Sequence, residues 1–519
     1  FNWNAPMAMS DSKPDRFYMG SQYLHKSEDM GDTWEIISPD LTTNDLAKQN
    51  QAESGGISVD NSGAENHCTI FTIAESPLNE QVIWVGTDDG NIQVTQDGGK
   101  SWTNTTANLQ GIPSNTWVYH IEASVHGEGT AYAVLEGHTS GDMAPYVVKT
   151  TDYGNTWTSI VSDDIYGFAR NIQEDYENED LLFLGTEFGL YITINGGKNW
   201  TQFTNNMPPV AVHFIDLQKQ TNDLVMGTHG RGVIILDDIS PLRQLNQEVL
   251  GKSFHFFETE PTIIDESSTF GGTATELEFV GGNPTTSTQI IYYLKKKHIF
   301  GKMTMEVQTM DGQKLVELAP SKKKGINVVT WNGLIKQPKL AKGKTLAFGG
   351  FTSPRVPEGD YRIVMNKGKE RYETVVTLKN DPNSPLTDAE RLANYQATIK
   401  LYNMSQELAY LVYEIDEILT KTEEVDKSGG NKVIKEVVKE LTELKESLVI
   451  TTGDNYVASA EPELREKLAN LYAKVAATFE APTAAEKENL ALLEERFEKA
   501  KLQLSVIKSK MMGRMERYM

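Results

Sequence analysis

Histidine, glutamate and arginine side chains lie at a few positions where the sequence predicts β-strands or tight turns. His120 and Glu122 are two residues apart, so on a strand they face the same side of a sheet. His213 is a polar residue in a later apolar run, and His229 and Arg231 stand on a glycine-flanked turn. Such a set is able to bind an acidic or carbohydrate group, and Glu122 is a candidate general acid. The alternative is that these side chains only form hydrogen bonds between neighbouring structural units.

An eight-residue pattern of the form S/T-x-D-x-G-x-T/S-W recurs through the first half of the chain. Its four copies begin at positions 27, 95, 150 and 193, and Asn195 replaces the aspartate in the last copy. In a hairpin turn, aspartate accepts backbone N–H bonds, glycine supplies the positive φ and tryptophan covers the sheet. We therefore predict a structural role, and not a catalytic one, for the two key residues of each copy. These are Asp29, Trp34, Asp97, Trp102, Asp152, Trp157, Asn195 and Trp200.

The spacing of the copies predicts the architecture around them. Successive copies start 43 to 68 residues apart, each after a pair of strand-like runs, and a fifth strand pair without a copy follows. Short strands at this spacing favour a β-propeller, which we predict to have about five blades over residues 1–245 and to be incomplete at its N-terminus. Ligands of propellers bind around the central channel. We predict that its innermost strands are residues 69–74, 118–123, 168–173 and 211–217.

The repeated pattern is an Asp-box and resembles the repeats of bacterial neuraminidases, which are also named BNR repeats. Residues 72–102 and 227–242 are similar to large bacterial proteins of the sortilin-like or glycosyl-hydrolase-like family. The resemblance covers the whole chain and is closest in the first half, and it identifies the chain as a C-terminal portion of such a protein. It implies an Asp-box propeller, an Ig-like module and a helical region on a secreted, periplasmic or cell-surface bacterial protein.

A sialidase makes demands that this sequence does not meet. Sialidases bind the substrate carboxylate with an arginine cluster, because only guanidinium offers a planar bidentate fork. Residues 1–243 contain only Arg16, Arg170, Arg231 and Arg243, and the Arg-Ile-Pro motif of that family is absent. The catalytic arginine triad is thus not seen, and the sequence leaves open whether the chain is an enzyme. It predicts no metal site and no cofactor, because it has no HExxH motif, no cysteine pair and no complete calcium loop.

The second half of the chain changes character twice. Residues 250–382 keep a strand pattern without Asp-boxes and predict an Ig-like or fibronectin-like β-sandwich. Residues 384–519 predict an antiparallel bundle of about four helices. Thr387 and Thr483 each begin a capping box, which is completed by Glu390 and Glu486. The predicted fold class is therefore mainly β with an α-helical C-terminus.

Composition restricts the partners. The chain has 519 residues, a formal net charge of −23 and one cysteine. An acidic surface repels phosphate backbones and anionic lipids, so we predict no nucleic-acid partner. A single cysteine excludes an intrachain disulfide, and the absence of an apolar run of about 18 residues predicts that the chain does not span a membrane.

Three functional hypotheses follow. The first is a propeller protein of the bacterial envelope or exterior that binds a peptide, protein or glycan, with the later modules spacing it or docking it to a larger assembly. The second is a sialidase-like glycoside hydrolase, which a pair of carboxylates with a raised pKa on one member would favour. The third is that the chain is one proteolytic piece of a larger complex and has no ligand of its own. An N-terminal fragment or partner chain would then complete the propeller, because the sequence at Phe1 reads as the interior of a fold.

Overall fold

A computed structural model describes residues 1–50, 66–266, 286–426, 432–452 and 461–515. The chain divides into two compact units, Phe1–Gly251 and Lys252–Met519. The first unit consists of strands and short helices, and the second combines strands with long helices. The expectation of a mainly β protein with a helical C-terminal region is confirmed. The division of the second unit at residues 382–384 stays a prediction.

Within the described residues, the first unit contains five small antiparallel sheets, in which strands adjacent in sequence are neighbours. Sheet 1 contains β1 (Met7–Met9), β2 (Phe17–Gly20), β3 (Leu24–Ser27) and β4 (Glu35–Ile36), and sheet 2 contains β5 (Ile70–Ser76), β6 (Asn79–Thr87), β7 (Ile92–Thr95) and β8 (Thr103–Asn104). Sheet 3 contains β9 (Trp117–Ala123), β10 (Ala131–Gly137), β11 (Asp142–Thr150) and β12 (Thr158–Ser159), and sheet 4 contains β13 (Ala169–Glu174), β14 (Leu182–Thr186), β15 (Gly189–Thr193) and β16 (Thr201–Gln202). Sheet 5 contains β17 (Val212–Gln218), β18 (Asp223–Thr228) and β19 (Val233–Leu236). Two short helices follow, α1 (Ser240–Gln244) and α2 (Gln247–Gly251).

The four copies of the repeated pattern form turns between the third and fourth strands of sheets 1 to 4, and we name them box turns. In the second box turn, Asp97 accepts hydrogen bonds from Thr95 Oγ1 at 2.8 Å and from the Ser101 backbone N–H at 2.9 Å and hydroxyl at 2.6 Å. These bonds lower the pKa of Asp97 to about 2. The fourth turn keeps the pattern, because Asn195 accepts from the Asn199 N–H at 3.0 Å and donates to its side chain at 3.1 Å.

Box turns also join each sheet to the one before it. The indole N–H of Trp102 donates to the Ile37 carbonyl at 3.2 Å, which lies beyond the last strand of sheet 1. The next two box turns repeat this contact: Trp157 reaches Thr105 Oγ1 at 3.3 Å, and Trp200 reaches the Ile160 carbonyl at 2.7 Å. Each tryptophan therefore pairs its indole N–H with an acceptor on the neighbouring sheet, while its rings exclude water from the contact.

The apolar cores of the first unit lie between successive sheets. Trp84 of sheet 2 is fully buried and packs on Trp157 of the third box turn with ring centroids 5.9 Å apart. Tyr132 of sheet 3 likewise shares a buried cluster with Ile172 and Leu184 of sheet 4. Consequently, each sheet buries both of its faces only when a neighbour is present on each side.

The second unit begins with two sheets that share one apolar core. The smaller sheet orders its strands β20 (Phe254–Phe256), β22 (Thr288–Leu294) and β25 (Gly325–Trp331); the larger orders β21 (Thr262–Ile263), β27 (Glu370–Lys379), β26 (Gly359–Lys367), β23 (Met303–Gln308) and β24 (Lys314–Leu318). Trp331 of the smaller sheet packs edge-on against Tyr361 of the larger, with centroids 5.2 Å apart. An Ig-like topology for this pair of sheets stays a prediction.

Four further helices complete the described part of the second unit: α3 (Asp388–Asp426), α4 (Lys432–Leu448), α5 (Leu464–Ala476) and α6 (Ala484–Met515). Both predicted capping boxes are present, since the Thr387 and Thr483 N–H groups donate to Glu390 and Glu486 at 2.8 Å. Apolar residues of all four helices meet in one buried cluster. Among the described helices, none combines the length and the apolar character of a membrane span.

The predicted antiparallel arrangement is wrong for the two longest helices. Three cross-helix ion pairs join α3 to α6 with a constant offset along both chains: Lys400–Glu494, Glu407–Lys501 and Glu414–Lys508. A constant offset means that α3 and α6 run parallel. The reason is length, because the 39-residue α3 offers room for α4 and α5, of 17 and 13 residues, to pack successively along it before α6 begins.

The docking of the box turns can be tested by a glycine substitution. Gly99 has φ +97°, and an added Cβ would lie 2.5 Å from the Ile37 carbonyl oxygen; Gly111 has φ +74° with nothing within 4 Å. Both alanine variants suffer the backbone penalty of about 1–2 kcal/mol. We expect Gly99→Ala to lower the free energy of unfolding by about 1–3 kcal/mol more than Gly111→Ala does, because the neighbouring sheet must move. Urea denaturation followed by tryptophan fluorescence reports the first unit, since every tryptophan except Trp331 lies there. If both variants lower the free energy of unfolding equally, the box turn does not support the contact between the sheets.

Candidate functional site

A polar pocket of about 280 Å³ lies where the first strands of the five sheets of the first unit converge. Its walls come from the ends of β1, β5, β9, β13 and β17 and from the residues that directly follow them. These strands run in one direction: Phe71 contacts Tyr119 near their starts, and Gln173 contacts Glu122 near their ends. The pocket thus occupies one end of a common axis. Its polar lining residues are Asp11, Glu75, His120, Glu122, Gln173, Glu174, Tyr176, Asp216 and Lys219.

Two lining glutamates are buried and are held from the preceding sheet by tyrosine and serine hydroxyls. Glu75 accepts from Tyr18 at 2.6 Å, Ser10 at 2.6 Å and Ser12 at 2.7 Å, and Glu174 accepts from Tyr132 at 2.8 Å and Ser124 at 2.7 Å. Burial, together with the adjacent carboxylate, raises the pKa of Tyr132, so its hydroxyl stays a donor. These two glutamates therefore tie sheets together and have little capacity left for a ligand.

His120, Glu122 and Gln173 form a more open group in the same pocket. Gln173 donates to Glu122 Oε1 at 2.6 Å, and His120 Nε2 lies 3.7 Å from Glu122 Oε2. His120 Nε2 also lies 3.1 Å from the Ile172 carbonyl, which fixes the ring. The side chains of His120 and Glu122 are each 18% exposed. Burial raises the pKa of Glu122, which the nearby His120 opposes and Glu174 reinforces. The group thus combines an acid, a ring nitrogen and an amide on rigid strands.

The other predicted site residues lie elsewhere. His213 stands near the start of β17, at the end of the axis opposite the pocket, and its ring stacks on that of His229 with centroids 5.1 Å apart. Burial and then the positive charges of Arg170 and His229 lower the pKa of His213 to about 4. Arg231 is exposed on the β18–β19 turn and does not line the pocket. The five residues singled out from the sequence therefore do not form one site.

Several residues that shape these two ends were not selected from the sequence. Gln173 lies in a predicted innermost strand at the same level as Glu122, Asp216 has the same level in β17, and Glu174 directly follows the predicted range 168–173. The equivalent positions of these residues in successive repeats are the sequence signal that identifies them. In the sequence, Arg170 stands out only as one of four arginines in residues 1–243, yet it lies at the start of the same strand as Gln173.

The arginines of the first unit do not assemble a carboxylate clamp of the sialidase kind. Each of three forms an ion pair with a different carboxylate: Arg16 with Glu80, Arg170 with Glu136 and Arg243 with Asp175. Across the described ranges, no group of three or more histidine, cysteine, aspartate or glutamate side chains has the geometry to hold a metal ion.

Comparisons with known proteins give distant similarities. No protein-family model matches the chain. A segment of 164 residues is 23% identical to an oligoxyloglucan-reducing end-specific xyloglucanase of Emericella nidulans, a match that covers 30% of this chain and 17% of that protein. The GH74 xyloglucanase of Xanthomonas campestris is similar with a TM-score of 0.34 at 15% identity, over 70% of this chain and 57% of that one. The GH74 enzyme of Niastella koreensis gives 0.33 at 16% identity, over 72% and 57%. The chain thus spans a small part of the curated relative and just over half of these solved structures.

The raised pKa of Glu122 predicts a stabilising substitution. A carboxyl whose folded pKa is raised favours its protonated form, so the folded protein loses stability as the pH rises from the ordinary carboxyl value of about 4.3 through the raised value. Glu122→Gln stays neutral and should raise the unfolding temperature at pH 7 by a few degrees, with the gain vanishing below about pH 4. Scanning calorimetry at several pH values measures this.

Glu128→Gln is the matched control. Hydrogen bonds from Asn79 and Tyr153 lower the pKa of this exposed carboxylate, so removing its charge should give no gain at pH 7. A Glu122→Gln protein that is less stable than the parent at pH 7 would contradict the raised pKa of the buried Glu122 carboxyl.

Proposed function

We propose that the five sheets are consecutive blades of a β-propeller and that the pocket on their axis binds a glycan. The observation that carries this proposal is the convergence of all five first strands on one polar pocket. Propellers place radially repeated sheets around a central channel. Binding groups on strands are held more accurately than groups on loops.

The chemistry of the pocket supports a neutral glycan as the ligand. Sugar hydroxyls both donate and accept hydrogen bonds, and Glu122, His120 and Gln173 present acceptors and donors that are already oriented by one another. Asp216 and Asp11 add carboxylates at the rim, which disfavours an anionic ligand. The similarity to a protein whose name specifies oligoxyloglucan supports this choice and supplies the first probes.

Hydrolysis of the glycan is a second candidate function, and one observation favours it. A glutamate whose pKa is raised by burial is the usual general acid of a glycoside hydrolase, and Glu122 meets that requirement. A second carboxylate is needed about 5–10 Å away as nucleophile or base. Asp216 and Asp11 line the same pocket, whereas Glu75 and Glu174 are held by their tyrosine and serine donors.

Titration calorimetry with xyloglucan oligosaccharides tests the binding proposal. We expect His120→Ala and Gln173→Ala each to weaken binding at least about tenfold, because each removes a fixed hydrogen bond to the sugar worth about 1–2 kcal/mol. Glu128→Gln, which lies outside the pocket, serves as the control and should bind as the parent does. Unchanged affinity in both pocket variants would remove the axial pocket from consideration.

Reducing-end release from the same oligosaccharides separates binding from hydrolysis. If the chain is an enzyme, Glu122→Gln should abolish release while retaining affinity, because glutamine keeps a hydrogen-bonding group but donates no proton to the leaving oxygen. A parent protein that binds but releases no reducing ends rejects the hydrolase and leaves the binding proposal standing.

We further propose a secreted or cell-surface protein whose propeller is completed by an N-terminal fragment or a partner chain. Apolar side chains on the outer face of sheet 5 support this, since Phe214, Val233 and Ile235 are 55–65% exposed. Met7 and Met9 of β1 are similarly exposed on the first sheet. In this proposal the Ig-like and helical modules act as spacer and docking elements. Native mass measurement of material from the natural source checks it, and a lone 57.9 kDa monomer would contradict it.

A further inference from the structure

Four first strands share a distortion that is absent from β1. In each of β5, β9, β13 and β17, the register to the second strand shifts near the start, so that one residue has no opposite partner. β-Bulges of this kind re-aim a side chain and occur next to functional sites. The extra residues, which we name the bulge row, are Phe71, Tyr119, Arg170 and His213.

The members of the bulge row lie next to one another around the axis. The rings of Phe71 and Tyr119 are 5.3 Å apart, and the Arg170 guanidinium lies 4.6 Å from the Tyr119 ring centroid. His213 has the equivalent bulge position in β17, the strand that packs beside β13, so it adjoins Arg170 in the row. The row therefore runs from an aromatic end to a basic end.

Arg170, at the basic end, has N–H donors that its carboxylate partner does not use. Arg170 Nη1 pairs with Glu136 at 2.8 Å, and its face is covered by Phe168 at 4.9 Å as well as by Tyr119. Its Nε is buried without a hydrogen-bond partner in the described residues. His229, stacked on His213, is exposed. A guanidinium carries five donors, so one carboxylate partner leaves capacity for another acceptor.

An exposed aromatic surface continues from this end. Tyr166 is 69% exposed and Phe188 is 36% exposed, and their rings are 4.7 Å apart. Tyr166 precedes Phe168 by two residues, and the Glu187 N–H that precedes Phe188 donates to the Phe168 carbonyl. Large rings held in this way give a ligand ring contact area at a small cost in conformational entropy.

We propose that the basic end of the bulge row binds the carboxylate of an acidic sugar, whose ring lies on the adjoining aromatic surface. Guanidinium matches a carboxylate with two parallel hydrogen bonds, and the imidazoles of His213 and His229 add donors. None of these side chains lines the glycan pocket, so this site goes beyond the proposed function. The bulge and the level of Glu122 are three strand residues apart, or about 10 Å. The proposed acid-binding site and the glycan pocket are therefore separated by about one Debye length.

Titration calorimetry with trigalacturonic acid and its fully methyl-esterified form tests this site. The ester removes the negative charge and leaves the sugar rings unchanged, so this comparison needs no substitution in the protein. We expect the acid to bind and the ester to bind at least tenfold more weakly. Equal affinity of acid and ester overturns the proposal, as does binding of a free tripeptide carboxylate in place of the sugar acid.

Variants then locate the binding. Arg170→Gln should weaken binding of the acid at least tenfold, and Arg170→Lys should also weaken it, because an ammonium lacks the bidentate geometry. Arg231→Gln is the matched control, since that arginine is exposed outside the row, and Glu128→Gln, which lies outside both sites, should also leave acid binding unchanged. If Arg170→Gln does not fold by circular dichroism, Arg170→Lys and the ester comparison decide. Acid binding that persists in the folded Arg170 variants overturns the proposal, whatever the neutral glycan does at the pocket.

Discussion

The indole N–H that each later box turn donates to the preceding sheet is the interaction on which the first unit depends. A four-stranded sheet of about twenty residues buries too little apolar surface to be stable alone, since chains below about 40 residues usually need further support. Trp102, Trp157 and Trp200 each carry a large ring and a satisfied N–H across the gap. The glycines behind them permit this approach; for example, a Cβ on Gly197 would lie 2.8 Å from Ile160 Cβ. The turn that closes each sheet is therefore also the contact that orients it.

Repeated docking of this kind gives the sheets a common direction. This shared direction places different side chains at the two ends of the axis. Because the first strands run the same way, their starts carry Tyr119 and Arg170, whereas their ends carry Glu122 and Glu174. One end of the axis is aromatic and basic, and the other is acidic. A net charge of −23 would suggest that the protein avoids anions everywhere, but the local arrangement is not uniform.

Much of the fold was predictable from local patterns. The boundaries of the innermost strands and the helical caps follow from turn residues, apolar runs and the Thr-x-x-Glu motif, all of which act within a few residues. Helix direction was not predictable in the same way. The parallel pairing of α3 and α6 depends on α4 and α5 together filling the length of α3, which is a property of the packed unit.

The sequence by itself determined the repeat, the hydrogen-bonded turns and the strand that carries His120 and Glu122, because these depend on φ preferences, side-chain-to-backbone bonds and the two-residue period of a strand. Only the tertiary structure decided which side chains share a site. It placed Gln173 beside Glu122 and separated His213 from both. The register shifts at Tyr119 and Arg170 depend on how each first strand pairs with the second strand of its sheet, and no local pattern of residues encodes that pairing.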